Sequence, residues 1–402
     1  MGKACCVYCR GFQQLMKLAN HCIRYPIPLL TEGYGCLREL PGLIRREGCR
    51  KVLLVTGKHV IRLPQVQELL TQMKENGLPY ALFNDLSPNP TSDQVEAGVQ
   101  VYRQMGCDGI VALGGGSPMD CAKAIGARIA RPGRSVSRLQ GLLKVGRPLP
   151  PLFAIPTTAG TGSETTLAAV ITDSGTHRKA AINDPRLMPR YALLDPSLTL
   201  DLPPFTTAIT GMDALCHAVE SYTNRTYCTQ KELRFAVLAV QLIHDYLPRA
   251  FAHGEDPVAR GQMLKASFLA GRSFTRGCVG YVHAVGHTLS ALYGTPHGLA
   301  MAILLPHVLR AYGPAVTEPL AALAHACGLP GVTPEERAES FIAWIESSKA
   351  AMGLPEYADM IKDKDIPQII RWAMKEANPL YPVPAVWGKE EFTALLQRAR
   401  GL

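Results

Sequence analysis

Short apolar runs alternate with amphipathic stretches between residues 52 and 195, and this alternation constrains the chain more than any other feature. Residues 52–56, 80–83, 109–113, 152–156, 168–172 and 191–195 read as strands. Residues 65–76 read as a helix stopped by Gly77. After Pro88-Asn-Pro90 the capping box Thr91-x-x-Gln94 opens a second helix, ending at Gly106, and residues 121–130 form a third. Short apolar strands separated by helices predict a parallel α/β sheet. The pattern stops at Leu202-Pro-Pro204. Beyond it come only helical periodicities, such as Leu233, Val237, Val240, Leu242 and Ile243. With 402 residues the chain is too long for one ordinary core. The expected division is an α/β domain over residues 1–203 and an all-helical domain over 204–402. Residues 11–20 and 36–47 add two short helices before the first strand.

The totals exclude several classes. A net charge of +9 and a pI near 8.9 are spread over the chain; the densest basic stretch is Arg45, Arg46, Arg50 and Lys51. This mild field suits a phosphorylated cofactor, and no nucleic-acid partner is expected. No run approaches the apolar length of a membrane span, and residues 298–309 are interrupted by Pro306 and His307. No membrane association is expected. Lys3, Arg10 and Lys17 break any secretory signal, so the twelve cysteines read as reduced thiols in the cytoplasm. Cys5, Cys6, Cys9 and Cys22 cluster, but the second Cys-x-x-Cys of a zinc ribbon is missing. Gly2 lacks the Ser or Thr at position 6 that an acylation signal needs.

Two loops carry the first chemical signal. Gly114-Gly-Gly-Ser-Pro-Met-Asp120 follows the strand 109–113 and leads into a helix. Glycines let backbone N–H groups approach an anion, and the helix N-terminus adds its dipole. Taken alone, the loop reads equally as a tight strand-to-helix turn. A second loop, Pro156-Thr-Thr-Ala-Gly-Thr-Gly-Ser-Glu164, follows the strand 152–156. Two such loops at strand ends predict a bound pyrophosphate, hence a dinucleotide.

The second signal lies in the helical half. Asp213 and His217 are four apart, as are His283 and His287, so each pair shares one helical face. Gly294-Thr-Pro296 turns the chain before His297. A single histidine on an apolar helix is more often a hydrogen-bonded core residue than a ligand. Together, one carboxylate and two or three imidazoles make a divalent transition-metal site. A dinucleotide facing such a site across an interdomain cleft is the expected arrangement, and hydride transfer beside a Lewis acid uses both.

These motifs resemble the iron-containing (group III) alcohol dehydrogenase family, which includes lactaldehyde reductases and 1,3-propanediol dehydrogenases, over residues 25–395. They are Gly114-Gly-Gly-Ser-x-x-Asp120, Thr157-Thr-Ala-Gly-Thr-Gly-Ser-Glu164, Gly211-x-Asp213-x-x-x-His217, and His283-x-x-x-His287 followed by His297. The resemblance implies metal ligands Asp213, His217, His283 and His297. It implies cofactor contacts at Asn89, Gly115, Gly116, Ser117, Asp120, Thr157, Thr158, Thr166 and Lys179. It further implies a dehydroquinate-synthase-like architecture, Fe²⁺ (with Zn²⁺ as the alternative), a small alcohol or aldehyde as substrate, and a homodimer or larger homo-oligomer. His287 is then the non-ligand histidine, either relaying a proton and contacting substrate or only orienting His283.

Two positions depart from the family pattern. Many NAD-using members carry Asp after the strand equivalent to residues 52–56, where this chain has Gly57 and Lys58. A 2′-phosphate is then not repelled and Lys58 can pair with it, which leans slightly to NADP(H) within NAD(P)(H). Arg276, near Phe274, stands where the family often has a small or amide residue. It reads as a solvated arginine or as a selector of an anionic semialdehyde or hydroxyacid. A dehydroquinate-synthase-like metal-dependent lyase is the rival enzyme class.

Overall fold

The computed structural model describes residues 3–23, 25–175 and 179–402. Gly2 and the side chain of Cys5, both weighed above, lie outside the described positions. The chain forms two compact units.

The α/β unit comprises Arg24–Asp201 and Glu255–Leu264. Its strands are β1 (Leu29–Glu32), β2 (Val52–Thr56), β3 (Tyr80–Phe83), β4 (Gly109–Gly114), β5 (Gly141–Leu142), β6 (Leu152–Pro156), β7 (Ala168–Thr172), β8 (Lys179–Asn183) and β9 (Tyr191–Leu194). Six of them make a parallel sheet in the order β1-β9-β6-β4-β2-β3. Alternate side chains serve opposite faces. Leu53, Val55, Ile110, Ala112 and Ala154 join one core, and Val52, Leu54, Val111, Phe153, Ile155 and Leu193 the other. Burial on both faces explains why these strands read as unbroken apolar runs. The short strands β5, β8 and β7 form a second sheet, with β7 and β8 antiparallel.

Four features depart from the expectation. The strands β1, β5 and β8 lie outside the expected set. The sequence of β8, Lys-Ala-Ala-Ile-Asn, has little strand propensity of its own, and its register with β7 supplies what the residues lack. The helix after the glycine loop starts at Gly116, not near residue 121. Pro118 lies in its first turn, where the missing N–H costs nothing, so the loop is itself the helix N-terminus.

The helices are α1 (Lys3–Cys22), α2 (Leu40–Arg46), α3 (Pro64–Glu75), α4 (Ser92–Gln104), α5 (Gly116–Ala130), α6 (Val136–Leu139), α7 (Pro204–Thr223), α8 (Gln230–Ala252), α9 (Pro257–Gly277), α10 (Tyr281–Tyr293), α11 (His297–Tyr312), α12 (Thr317–Ala326), α13 (Pro334–Ala351), α14 (Ile366–Ala377) and α15 (Lys389–Ala399). The helical unit comprises Met1–Ile23, Leu202–Gly254 and Lys265–Leu402. Residues 255–264, expected with the helical domain, therefore group with the α/β unit, and residues 3–23, expected with the α/β domain, group with the helices. The physical reason is a set of long-range hydrogen bonds: Arg10 donates to the carbonyls of Val383 and Pro384 at 2.8 and 2.7 Å. The change of texture lies at Asp201/Leu202, two residues before the expected boundary.

The helical run His297–Ala326 is long and apolar enough by composition to cross a membrane, but 67% of its apolar window is buried inside the protein, as befits a core helix. Its first turn abuts α7 closely. A Cβ at Gly298 would lie 2.2 Å from the Ile209 carbonyl oxygen, so only glycine fits there.

Candidate functional site

Helix α7 presents Asp213, His217 and Glu220 along one stripe, α10 presents His283 and His287, and His297 opens α11. Ligand atoms of Asp213, His283 and His297 all lie within 4.8 Å of one another. His297 Nε2 is 3.3 Å from Asp213 Oδ1, and His283 Nε2 is 3.7 Å from the same oxygen. Asp213 Oδ1 and His283 Nε2 are both buried and make no hydrogen bond. Leaving such atoms bare costs roughly 1–3 kcal/mol each, so a convergent pair of them marks a place for a cation.

Glu220 sets the orientation. Its Oε2 lies 2.5 Å from His283 Nδ1, and its Oε1 accepts the Val282 N–H at 2.7 Å. A carboxylate holding Nδ1–H leaves the Nε2 lone pair for a metal. Burial opposes charge on His283, but Glu220 and Asp213 outweigh it and push the imidazole up to about 9. Burial likewise opposes charge on Asp213, yet the surrounding His217, His297 and His283 imidazoles hold its carboxyl well below the usual range. Burial pushes His297 down, toward the neutral form that ligates. The two acids thus create a field that selects a positive charge at the imidazole nitrogens. The donor set of one carboxylate and neutral imidazoles fits Fe²⁺ or Zn²⁺.

His217, expected as the fourth ligand, is not within the 4.8 Å set. Its buried ring stacks between Phe274 and His283, with centroids 4.2 and 4.5 Å away. The shared helical face puts it beside the centre, and ring packing sets its present orientation. His287 stacks on His297 with centroids 5.2 Å apart, and its Nδ1 lies 2.7 Å from Glu376 Oε1. Tyr381 donates its hydroxyl hydrogen to that same oxygen at 3.0 Å. Arg276 donates to the carbonyls of Tyr227 at 2.9 Å and Asn20 at 3.1 Å, and approaches Glu232 at 4.0 Å. These bonds give it a structural task, and its side chain is largely buried, unlike the solvated arginine weighed above.

The loops of the α/β unit follow adjacent parallel strands: Gly57 after β2, Gly115 after β4 and Thr157 after β6. Their ends therefore open on one edge of the sheet. Gly114 has φ 151°, and its carbonyl accepts the Thr157 N–H at 3.1 Å. A Cβ on Gly115 or Gly116 would press on Thr158 or Thr161 at 3.2 Å, so the two loops interlock. Asn89 (φ 62°) donates its N–H to Ser117 Oγ at 3.3 Å and accepts Lys179 Nζ at 2.8 Å. The structure thus gathers Asn89, Ser117 and Lys179. Asp120 and Thr166 instead serve the loop's interior. Asp120 accepts from Ser163 Oγ at 3.2 Å and the Val170 N–H at 3.1 Å. Lys58 forms an exposed ion pair with Asp85 at 2.9 Å.

Three residues escaped the sequence reading. Glu220 stands three after His217 and seven after Asp213, a helical stripe that pointed to it. Lys123 lies in the middle of the largely apolar α5, three after Asp120. Its fully buried ammonium lies within hydrogen-bond reach of Ser163 O (2.6 Å), Ser163 Oγ (3.2 Å), Thr166 O (2.9 Å), Thr166 Oγ1 (2.8 Å) and Ala168 O (3.0 Å). Burial lowers it to about 8, against the pull of Asp120 and Glu164. Glu376 lies 89 residues from His287 and left no local signal.

Residues 29–196 match the family model described as iron-containing alcohol dehydrogenase, and residues 207–400 match the C-terminal model of the Fe-containing alcohol dehydrogenase family. An NAD-dependent methanol dehydrogenase of Bacillus methanolicus is 38% identical over 353 residues, covering 87% of this chain and 92% of that protein. Lactaldehyde reductase of Escherichia coli (strain K12) is 34% identical over 349 residues, covering 86% and 91%. A solved structure of a 1,3-propanediol oxidoreductase superposes with a TM-score of 0.90 at 36% identity, covering 94% of this chain and 99% of that one.

Proposed function

This chain belongs to the iron-containing alcohol dehydrogenase family, and we propose that it interconverts a small uncharged alcohol or diol and its aldehyde, with NAD(H) as the hydride carrier and Fe²⁺ as the metal. The observation that carries the reading is the buried Asp213, His283 and His297 cluster with Glu220 behind it. A divalent iron or zinc ion held there would supply Lewis-acid polarisation of a carbonyl oxygen. Asp213, His283 and His297 would hold it, with His217 beside them as a further donor. Glu220 fixes the tautomer of His283. His287, carried next to His297 and tied to Glu376, is positioned to hold a substrate hydroxyl or move its proton. The loops 114–120 and 157–166 would cradle the pyrophosphate. Family membership favours this oxidoreductase over the lyase alternative, and the structural task of Arg276 removes the main support for an anionic substrate.

The preference for NAD(H) revises the slight lean to NADP(H). Lys58, the residue that would have favoured a 2′-phosphate, is paired with Asp85 at the end of β3. The carboxylate missing at Gly57 thus has a counterpart from the neighbouring strand. Asp85→Ala is expected to raise the NADPH/NADH ratio of kcat/KM by about fivefold, the effect of roughly 1 kcal/mol between exposed charges. Gly57→Asp, where a Cβ meets nothing within 4 Å, is expected to lower it. Ratios unmoved in both variants would place these residues away from the ribose.

The function itself is tested on purified, metal-analysed protein supplied with Fe²⁺ or Zn²⁺. NADH absorbance is expected to fall when short aldehydes are added, and to rise with short primary alcohols and diols plus NAD⁺. Absence of turnover with every short aldehyde and alcohol, both cofactors and both metals would overturn the reading.

A further inference from the structure

Helix α1 lies outside both stretches matched by the family models, which begin at residue 29. Its inner face is mixed: of its described side chains Cys9, Gln13 and Asn20 are buried, and two of these are polar. Gln13 is 1% exposed, and its Nε2 donates to the carbonyls of Tyr381 at 2.8 Å and Pro379 at 3.3 Å. Arg10 donates to Gln13 Oε1 at 2.9 Å, which fixes the amide, and to the carbonyls of Val383 and Pro384. Tyr227 donates its hydroxyl hydrogen to the Leu380 carbonyl at 2.9 Å. Five carbonyls between residues 379 and 384 are thus taken by side chains from elsewhere. A segment without regular structure is thereby held at one position.

That segment carries Tyr381, whose hydroxyl meets Glu376 Oε1, and Glu376 in turn holds His287 Nδ1. We infer that α1 is a positioning element for His287, acting through Gln13, the 379–384 segment, Tyr381 and Glu376. The inference rests on the proposed role of His287 in the alcohol–aldehyde reaction. Gln13 and Arg10 touch none of the proposed metal-binding residues, so their effect travels only through the backbone they clamp. A small displacement of a group beside the reacting atoms costs far more in rate than in binding.

The test uses the full-length, metal-loaded protein and compares Gln13→Leu, Tyr381→Phe and the double variant. Gln13→Leu is expected to lower kcat roughly tenfold. KM for the aldehyde should change less than kcat, bound metal should stay at the wild-type stoichiometry, and backbone amides of residues 380–381 and 383 should exchange faster. Because both residues act along one path, the double variant is expected to be no slower than the more impaired single variant. Wild-type kcat in Gln13→Leu, or full multiplication of the two effects in the double variant, would overturn the inference. Loss of metal or of folding in Gln13→Leu, with Tyr381→Phe kinetically normal, would also overturn it, by assigning α1 to general stability. Failure of the functional reading itself shows separately, as a wild-type protein without turnover.

Discussion

His283→Ala is expected to purify with less than about a tenth of the wild-type metal, and to turn over at least a thousandfold more slowly. The reasoning starts from the two acids that flank this imidazole. Glu220 lies 2.5 Å from Nδ1 and Asp213 lies 3.7 Å from Nε2, and all three side chains are buried. Removing the ring deletes one donor and frees Glu220 from its task, so two carboxylates are left in a buried space with less positive charge to compensate them. Loss of a metal that stabilises developing charge forfeits several kcal/mol, and about 1.4 kcal/mol corresponds to tenfold in rate. Metal content per chain by elemental analysis, read beside kcat, checks the expectation. A His283→Ala protein that keeps stoichiometric metal and wild-type kcat would remove His283 from the centre. His217→Ala is the informative companion, because its ring stacks on His283 without joining the convergent donors. Metal loss there would mean that the ring turns to ligate when the ion is bound.

Lys123→Met is expected to produce the other large effect, on stability first and cofactor binding second. The ammonium sits among five oxygens, three of them carbonyls of residues 163, 166 and 168. Methionine matches the bulk but donates nothing. Those carbonyls would be stranded away from water, while Asp120 and Glu164 would lose their counter-charge. Burial already raises Asp120 to about 6 and Glu164 to about 7. Breaking a buried ionic cluster in this way costs about 3–5 kcal/mol. For a unit of this size, that is a fall of about 10 °C in its unfolding temperature. The Thr157–Thr166 loop would lose its anchor, so NADH affinity is expected to weaken about tenfold in protein that remains folded. Calorimetry and NADH fluorescence titration check the two parts. Unchanged melting would show that the lysine is dispensable to the loop.

Fold and site were legible to different degrees, for physical reasons. The strands β2, β4 and β6 announced themselves because burial on both faces leaves an unbroken apolar run. β8 did not, because its pairing with β7 compensates for residues with little strand preference. Asp213, His283 and His297 could be picked out because helical spacing projects chemistry onto one face. Spacing says nothing of ring orientation, however, so the stacked pose of His217 was invisible. The partners Asp85 for Lys58 and Glu376 for His287 lie 27 and 89 residues away in sequence. Such pairings are made by tertiary packing, which a local pattern does not encode. The N-terminal helix shows the same limit: Phe12, Leu15, Met16 and Ala19 marked it as amphipathic, yet Gln13 and Arg10 supply its hydrogen bonds to the 379–384 segment.

The contact of Gly298 with the Ile209 carbonyl has a consequence for how such a centre can change. His297 reaches Asp213 because two helical backbones meet with no side chain between them. The gauge of the ion's cradle is therefore written in the absence of a single methyl group, one residue removed from any atom that would bind the ion. A lineage could preserve every donor and still lose its grip on iron by enlarging that one position. Conversely, a protein engineer seeking a roomier cradle would begin with the spacing of the two backbones and leave the imidazoles alone.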